Sequence, residues 1–171
     1  IQDPNSPRYA PKSKQSPYDG GLRTPIMIRW PDRVKPQRSE SLAMSIDFMP
    51  TLLNAVGLKP TGDMKGINLL DAKTVRARKV NYGECFTHAA VDLDNPAANL
   101  RWRWLIEGDW KLIVPAAQNE PTAHIELYNL ANDPHEGNNL ATVEPQKVQH
   151  LTQLLDRWWS GTQSLQQQRA R

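Results

Sequence analysis

The sequence predicts two parts: a segment of α/β character over residues 1–79 and a small α+β unit over residues 80–162. In Leu100–Ile106, apolar and polar side chains alternate, which is typical of a half-buried strand. A second strand, Trp110–Val114, follows a short turn and completes a hairpin. Apolar residues at helical spacing near the end predict a helix that packs on these strands.

Composition argues against two classes of protein: membrane-spanning proteins and nucleic-acid-binding proteins. Of the 171 residues, 39% are hydrophobic and 23% charged, as in a typical globular domain. No apolar run approaches the roughly 20 residues that a membrane helix needs, so no membrane span is expected. The net charge of +3 is too small to indicate a nucleic-acid-binding face, but it suits an anionic substrate at a locally positive site.

The first part holds few elements. Residues 1–21 are rich in Pro, Ser and Lys and predict a loop. The apolar run Ile26–Trp30, bounded by prolines, predicts a buried strand. A helix is expected from near Ser45, a candidate N-cap, to Gly57, a candidate C-cap. The basic stretch Lys73–Lys79 is interpreted as a surface connector. One strand and one helix are too few to close a core.

The second part is expected to hold four strands and a final helix. Its remaining strands are Val80–Cys85 and His124–Tyr128, and the helix runs from Glu144 to Ser160. The tail of residues 163–171 lacks apolar content and is predicted to fray.

One core is predicted between the sheet and the final helix. The residues expected to build it share one face of the Leu100–Ile106 strand or one stripe of the helix: Trp102, Trp104, Leu151, Leu155 and Trp158. Alternation then places Arg101 and Arg103 on a solvated basic face.

Several motifs, in order, carry a family resemblance. The segment Lys14–Pro25 resembles the Lys-x-x-x-Tyr-Glu-Gly-Gly-x-Arg-x-Pro segment of the sulfatase family, alkaline-phosphatase-like enzymes that hydrolyse sulfate esters. In this segment Asp19 replaces the usual Glu, and Arg23 is expected to orient the loop as a buried guanidinium that hydrogen-bonds to a carboxylate. Four further segments are similar to motifs of the same family: Ser45–Gly57, Gly66–Leu70, Trp110–Ile113 and Glu126–Leu140. Five motifs in the family's order are more specific than any one alone.

The resemblance implies the fold and the cofactors. It implies an alkaline-phosphatase-like α/β domain, of which residues 1–79 are the last portion, and a C-terminal subdomain with a four-stranded antiparallel sheet and a packing helix. It also implies a formylglycine nucleophile, made from a Cys/Ser-x-Pro-x-Arg motif, beside a calcium ion. Cys85 is not in that motif and is interpreted as a structural thiol. The motif and the metal ligands are expected upstream, so the fragment alone is expected to be inactive.

Lys14 is the candidate catalytic and substrate-binding residue. The resemblance places it at the family's sulfate-contacting lysine, where a fixed ammonium stabilises charge that develops in the transition state. Lys12 is the competitor, at the wrong offset from Tyr18. His88, in a polar loop with Asp92 and Asp94, is a second substrate-binding candidate, with an ordinary surface histidine as the equally weighted alternative.

The predicted function is hydrolysis of a sulfate ester, either a sulfated small molecule or a polysaccharide. Two alternatives stay open: a non-catalytic module that binds sulfated polyanions, and a phosphoesterase or phosphonate hydrolase of the same superfamily, because phosphate and sulfate share tetrahedral geometry. The sequence leaves the compartment undetermined, and the resemblance suggests a periplasmic or secreted protein.

Overall fold

The computed structural model describes residues 12–162. They form two compact units: one joins the residues up to Thr24 with those from Tyr82 onward, and the other is Pro25–Asn81. The domain boundaries predicted at residues 79–80 and 162–163 stay a prediction. The predicted frayed tail, residues 163–171, lies outside the described residues.

A four-stranded sheet forms the centre of the first unit, with the strands in chain order. Strand β1 is Val80–Phe86, β2 is Leu100–Glu107, β3 is Trp110–Pro115 and β4 is Glu126–Asn129. Strands β2 and β3 pair antiparallel, and so do β3 and β4. The predicted sheet is therefore confirmed, and each of the four strands predicted for residues 80–162 overlaps an observed one.

Helix α5, Pro145–Trp158, covers one face of this sheet and contacts β2 and β3. The strand register aligns three leucines across β2, β3 and β4, and two helix leucines are buried with them: Leu105, Leu112, Leu127, Leu151 and Leu155. None of these five side chains is accessible to solvent. Burial of apolar surface between sheet and helix is thus the main support of this unit.

The predicted assignment of β2 faces is wrong. Arg103, not its tryptophan neighbours, points toward α5, where its guanidinium lies 2.8 Å from the Asp156 carboxylate and donates to the Trp159 carbonyl oxygen. Because strand side chains alternate, Trp102 and Trp104 lie on the opposite face and are half-buried there. Alternation gives the period of a strand, but it does not say which face meets the helix.

The end of α5 also differs from the prediction. Trp158 is 41% exposed and stacks on Tyr82 at a ring-centroid distance of 5.2 Å, whereas its neighbour Trp159 is buried. The helix ends at Trp158, and the extended backbone of Trp159 turns that indole inward. Leu151 and Leu155 are confirmed as core residues.

The second unit is built around a helix that begins with a 3₁₀ turn, Ser45–Asp47, and continues as α2, Phe48–Ala55. The predicted C-terminal cap is confirmed, because Gly57 adopts φ +79°, a conformation that favours glycine. The predicted strand at residues 26–30 is wrong. That segment is irregular and Met27 is 91% exposed, since no strand among the described residues pairs with it.

Asp47 organises this second unit. Its buried carboxylate accepts hydrogen bonds from the backbone N–H groups of Met44 and Ile67 and a bidentate pair from Arg78 at 2.5 and 2.7 Å. Asp47 therefore holds the start of the helix, where Ser45 was the predicted cap. The predicted surface connector is wrong at Arg78, whose side chain is nearly buried because a bidentate carboxylate satisfies its charge.

Three shorter helices complete the described residues: α1, Asp19–Leu22; α3, Ala72–Ala77; and α4, Pro96–Asn99. Asp71 caps α3 by accepting from the N–H groups of Lys73 and Thr74. Within residues 12–162, no helix has the length and apolar content that crossing a bilayer requires.

Candidate functional site

The candidate site is the loop of residues 12–18, which leads into α1. Lys14 lies in this loop with an exposed side chain. Lys12 and Gln15, on either side of it, adopt φ values of 55° and 67°. Left-handed backbone at residues other than glycine costs free energy, and it persists only where the surroundings determine it. The loop around Lys14 is thus held in an unusual conformation rather than a relaxed one.

Gly20 and Gly21 allow this loop to fold back against α1. A Cβ atom would lie 2.5 Å from the Lys12 carbonyl oxygen at Gly20 and 2.3 Å from the Ser13 carbonyl oxygen at Gly21. Both distances are far below van der Waals contact, so only glycine fits at these positions. The glycine pair therefore permits the close approach of the two residues that precede Lys14.

Four charged residues tie the loop to the sheet, and we call them the ionic clamp: Lys12, Asp19, Lys111 and Glu136. The Lys111 ammonium, on β3, is fully buried and lies 2.7 Å from Asp19 Oδ1 and 2.8 Å from Glu136 Oε1. Glu136 Oε2 accepts from the Asp19 N–H at 2.7 Å, and the Glu136 carbonyl oxygen accepts from Lys12 Nζ. The clamp therefore attaches the loop to the rest of this unit at Lys12, where the loop begins, and at Asp19, directly after it ends.

Two tyrosines and a glutamate extend the clamp. The Tyr18 hydroxyl donates to the Glu126 carboxylate, 2.8 and 2.9 Å from its two oxygens, and the Tyr128 hydroxyl donates to the same carboxylate. Burial, and then the hydrogen bond to Glu126, raises the pKa of both phenols, so they remain protonated donors at neutral pH. Lys12 Nζ lies over both rings, 4.6 Å and 5.2 Å from their centroids.

The structure brings the second candidate residue to the same loop. The His88 Nδ1 atom lies 3.2 Å from Nε2 of Gln15, the residue next to Lys14. Arg101 approaches the Gln15 carbonyl oxygen at 3.5 Å. His88 is exposed, as Lys14 is. Their assignment as substrate-binding residues stays a prediction, but the two loops that carry them meet at Gln15.

Asp92, an acidic neighbour of His88, has a structural role. The Asp92 carboxylate accepts from the N–H groups of Asp94 and Asn95, which closes a turn. Asn99 holds the same loop by accepting from the N–H groups of Val91 and Asp92. The loop of residues 87–98 is therefore shaped by side-chain-to-backbone hydrogen bonds that are typical of such turns.

Sequence reasoning missed the clamp lysine and glutamate. In the sequence, Lys111 and Glu136 stand out only as members of the family motifs Trp110–Ile113 and Glu126–Leu140. Nothing in their local pattern indicates that they are buried. Arg23 is the reverse case: it is predicted to orient the loop as a buried guanidinium, but its side chain is 73% exposed and 4.0 Å from Asp19. That prediction is wrong, because the inward cation that pairs with Asp19 is Lys111.

The implied calcium ion and formylglycine stay predictions. Among residues 12–162, no three His, Cys, Asp or Glu side chains are arranged to hold a metal ion. Burial raises the pKa of the Cys85 thiol to about 11, so the thiol is protonated and unreactive at neutral pH, as expected of a structural cysteine.

Two solved structures match most of this chain in fold. One is a protein bound to its substrate D-glucosamine-2-N,6-O-disulfate, which matches with a TM-score of 0.50 and 23% identity over 71% of this chain and 25% of that one. Another is a phosphonate monoester hydrolase of Agrobacterium radiobacter, with a TM-score of 0.54 and 18% identity over 74% and 26%. At these identities the likeness shows the fold alone, which is the fold class predicted from the sequence.

The family follows from the sequence itself. The chain belongs to the family described as N-sulphoglucosamine sulphohydrolase, C-terminal, whose model matches residues 12–163. It is 28% identical to an N-acetylgalactosamine-6-O-sulfatase of Bacteroides thetaiotaomicron, over 84% of this chain and 28% of the relative. An arylsulfatase K of Xenopus laevis is 27% identical over 83% and 27%. The chain thus spans little more than a quarter of these relatives, and the predicted membership in the sulfatase family is confirmed.

Proposed function

We propose that this chain is the C-terminal part of a sulfuric ester hydrolase and that Lys14 binds the sulfate group of its substrate. The observation that carries the proposal is the constrained loop at residues 12–18. In a chain of a sulphohydrolase family, this loop presents an exposed lysine between two residues with left-handed backbone, Lys12 and Gln15, and the absence of side chains at Gly20 and Gly21 allows the loop to pack closely on α1.

Lys14 suits the charge that develops during hydrolysis. As the S–O bond to the alcohol is attacked and breaks, negative charge increases on the sulfonyl oxygens and on the leaving oxygen. An ammonium held beside those oxygens stabilises the transition state more than the ground state, because the charge is larger there. A constrained loop adds to this effect, since the ammonium needs little reorganisation when the reaction occurs.

His88 is proposed to contact the sugar next to the sulfate. Its Nδ1 atom lies 3.2 Å from the amide nitrogen of Gln15, the residue after Lys14, and its exposure leaves the ring accessible to substrate. A histidine can donate or accept a hydrogen bond to a sugar hydroxyl or to the leaving oxygen. Gln15 would then fix the orientation of the imidazole ring.

Formylglycine and calcium belong to the proposal as groups held by residues of the full-length protein outside residues 12–162. When bound, they would supply the nucleophile and neutralise charge on the sulfate. Residues 12–162 would supply the positioned ammonium and the contacts around it. We accordingly expect this chain, on its own, to hydrolyse no sulfate ester.

A sulfated amino sugar is the proposed substrate class. A curated relative is named as an N-acetylgalactosamine-6-O-sulfatase, and a protein of the same fold was solved with D-glucosamine-2-N,6-O-disulfate as its substrate. The phosphonate monoester hydrolase with the same fold is the reason to keep a phosphorus ester as the second candidate. A non-catalytic module that binds sulfated polyanions is the third.

A substrate panel separates these candidates. The full-length protein should be assayed with amino-sugar 6-sulfates, an aryl sulfate, an aryl phosphate and an aryl phosphonate monoester. We expect release of inorganic sulfate with the highest kcat/KM on a sulfated amino sugar. Preference for a phosphorus ester would replace the proposal by the second candidate, and binding of sulfated polymers without any turnover would replace it by the third.

The first prediction concerns Lys14. In the full-length protein, Lys14→Ala should lower kcat for a sulfate ester by about 100-fold or more, the usual loss when one preorganised charge contact is removed from a transition state. Lys14→Arg should rescue poorly, because a planar guanidinium does not reproduce a compact ammonium in a tight loop. The melting temperature should hardly change, because Lys14 lies in a loop with an exposed side chain.

The matched control is an exposed lysine outside the site. Lys12→Ala is unsuitable, because Lys12 anchors the loop to Glu136 and is expected to show an intermediate loss. Lys59, exposed just after α2, serves instead. Lys59→Ala should keep the wild-type kcat. Wild-type activity in Lys14→Ala would remove the sulfate-binding role assigned to this residue.

A further inference from the structure

The ionic clamp brings together three parts of the chain that are far apart in sequence. Asp19 follows the Lys14 loop, Lys111 lies on β3, and Glu136 lies in the turn after β4. Glu136 reaches both ends of the loop, because its carbonyl oxygen accepts from Lys12 and its carboxylate accepts from the Asp19 N–H. Lys14 is therefore between two points that the same residue holds.

Lys111 determines whether this arrangement is stable. Its ammonium is the buried cation between two carboxylates, and no part of the Lys111 side chain is exposed to solvent. Without it, Asp19 and Glu136 would face each other as like charges in a partly buried site. Repulsion between them would push α1, and the loop before it, away from the sheet.

A second buried cation on the same sheet shows what a purely structural role looks like. Arg103, on the α5 face, pairs with Asp156 and with the Trp159 carbonyl oxygen. That interaction joins sheet to helix and does not involve the Lys14 loop. The two cations are thus comparable in burial but differ in what they hold.

We propose that Lys111 is a positioning residue, which acts through Lys14: its ammonium, between Asp19 and Glu136, holds the loop of residues 12–18 in the conformation that presents Lys14 to a sulfate group. The expected effect on kcat rests on the proposed function. The expected effect on the conformation of the loop does not depend on it. The ligand concerned is the sulfated substrate that Lys14 would bind.

The kinetic test compares Lys111→Met with Arg103→Met in the full-length protein. A displacement of about 1 Å can cost on the order of 100-fold in rate, so Lys111→Met should lower kcat for a sulfate ester at least about 10-fold. Arg103→Met should lower the melting temperature to a similar extent and leave kcat per folded molecule within about twofold of wild type. Equal kcat losses in the two variants would assign Lys111 a structural role and overturn the proposal.

A double-mutant cycle shows whether Lys111 acts through Lys14. If it does, Lys111→Met should reduce kcat very little further in a Lys14→Ala background. Fully additive losses would overturn the positioning role. Wild-type kcat in Lys14→Ala would overturn the proposed function instead, whereas a loss in Lys14→Ala with none in Lys111→Met would overturn the positioning role alone.

Limited digestion with trypsin reports on the conformation of the loop and does not require sulfatase activity. Cleavage after Lys14 should be faster in Lys111→Met than in wild type or in Arg103→Met, because release of the loop exposes its backbone to the protease. Glu136→Gln keeps the shape of the side chain and removes one clamp charge, so it serves if Lys111→Met does not fold, with the same expected acceleration. Equal cleavage rates in wild type and in these clamp variants would overturn the proposal.

Discussion

Buried charges recur in this chain, and each one joins segments that are distant in sequence. Three such interactions lie within the described residues: Asp47 with Arg78, Lys111 with Asp19 and Glu136, and Arg103 with Asp156. For the first two, removal of one partner leaves a buried charge without compensation, which typically costs about 3 kcal/mol or more. The Arg103 pair should contribute less, because solvent screens the half-exposed Asp156. These residues specify the structure as much as the leucine core does.

Single residues of this kind are the least predictable from sequence. A charged side chain in a strand or a connector is ordinarily placed on the solvent side, and that rule gives the wrong environment for Arg78 and Arg103. Both are buried because a carboxylate from another segment satisfies the guanidinium. Local pattern carries no information about a partner 31 or 53 residues away in the chain.

Asp47 should make the stability of the second unit depend on pH. Burial alone would raise its pKa, but hydrogen bonds from Arg78, Ile67 and Met44 outweigh burial and lower the pKa below its ordinary value. Because the folded-state pKa is the lower one, the unfolded state binds the proton first as pH falls. The stabilisation by Asp47 is thus full above about pH 4, the unfolded value, and is lost as pH falls through the folded pKa.

Urea unfolding of wild type and Asp47→Asn between pH 7 and pH 3 checks this prediction. We expect Asp47→Asn to lower the free energy of unfolding by about 3 kcal/mol at pH 7, and we expect the difference to shrink toward the acid end. Asp71→Asn, at an exposed helix cap where the amide oxygen can still accept the backbone N–H groups, should cost much less at pH 7. A wild-type advantage that stays constant down to pH 3 would contradict the pKa shift at Asp47.

At the scale of elements, spacing predicts existence and type better than orientation. Four strands and the final helix follow from periodicity, and their observed bounds overlap the predicted ones. The phase of β2 does not follow, because Arg103 and Leu105 point to α5 while Trp102 and Trp104 lie opposite. Both assignments bury large side chains, so only the neighbouring elements decide between them.

Packing of α1 on the loop gives the element-scale prediction. Gly21→Ala places a Cβ atom 2.3 Å from the Ser13 carbonyl oxygen, so either α1 or the loop must move. Lys14 directly follows Ser13, so a shift of the loop would displace its ammonium. We therefore expect kcat for a sulfate ester to fall at least about 10-fold in the full-length protein. Trypsin cleavage after Lys14 should become faster at the same time.

Gly62→Ala is the matched control for this substitution. A Cβ atom at Gly62 meets nothing within 4 Å, and Gly62, like Gly21, is not among the glycines with positive φ. The change should therefore leave both kcat and the cleavage rate at wild-type values. Normal activity of the Gly21→Ala protein would mean that the loop tolerates displacement. It would contradict the idea that catalysis depends on the conformation of the loop.

At the scale of the whole molecule, the order of motifs predicted the family, whereas the burial of individual segments was less predictable. The run Ile26–Trp30 has the composition of a strand, but composition does not supply a neighbouring strand to pair with. Helix α2 has an apolar stripe at the predicted spacing, yet Leu52 and Val56 remain 61% and 71% exposed. Residues 25–81 therefore contain apolar surface that they do not cover themselves.

This surface gives the last prediction. The chain of 171 residues, studied alone, should bind a fluorescent dye that recognises exposed apolar surface, because Met49 and Leu52 on α2 and Val56 directly after it are exposed at helical spacing. The double change Leu52→Gln and Val56→Gln should lower the dye fluorescence substantially. It should hardly alter the melting temperature, since these side chains contribute little to burial.

Leu93→Gln is the control, because Leu93 is equally apolar and exposed but lies in the loop of residues 87–98, away from α2. Its effect on dye fluorescence should be small, since an isolated leucine does not make a contiguous patch. In the full-length protein the dye signal should be weak, because further chain is expected to cover the stripe. No dye binding by the 171-residue chain, together with a sharp cooperative melt of residues 25–81, would mean that this part closes a core of its own.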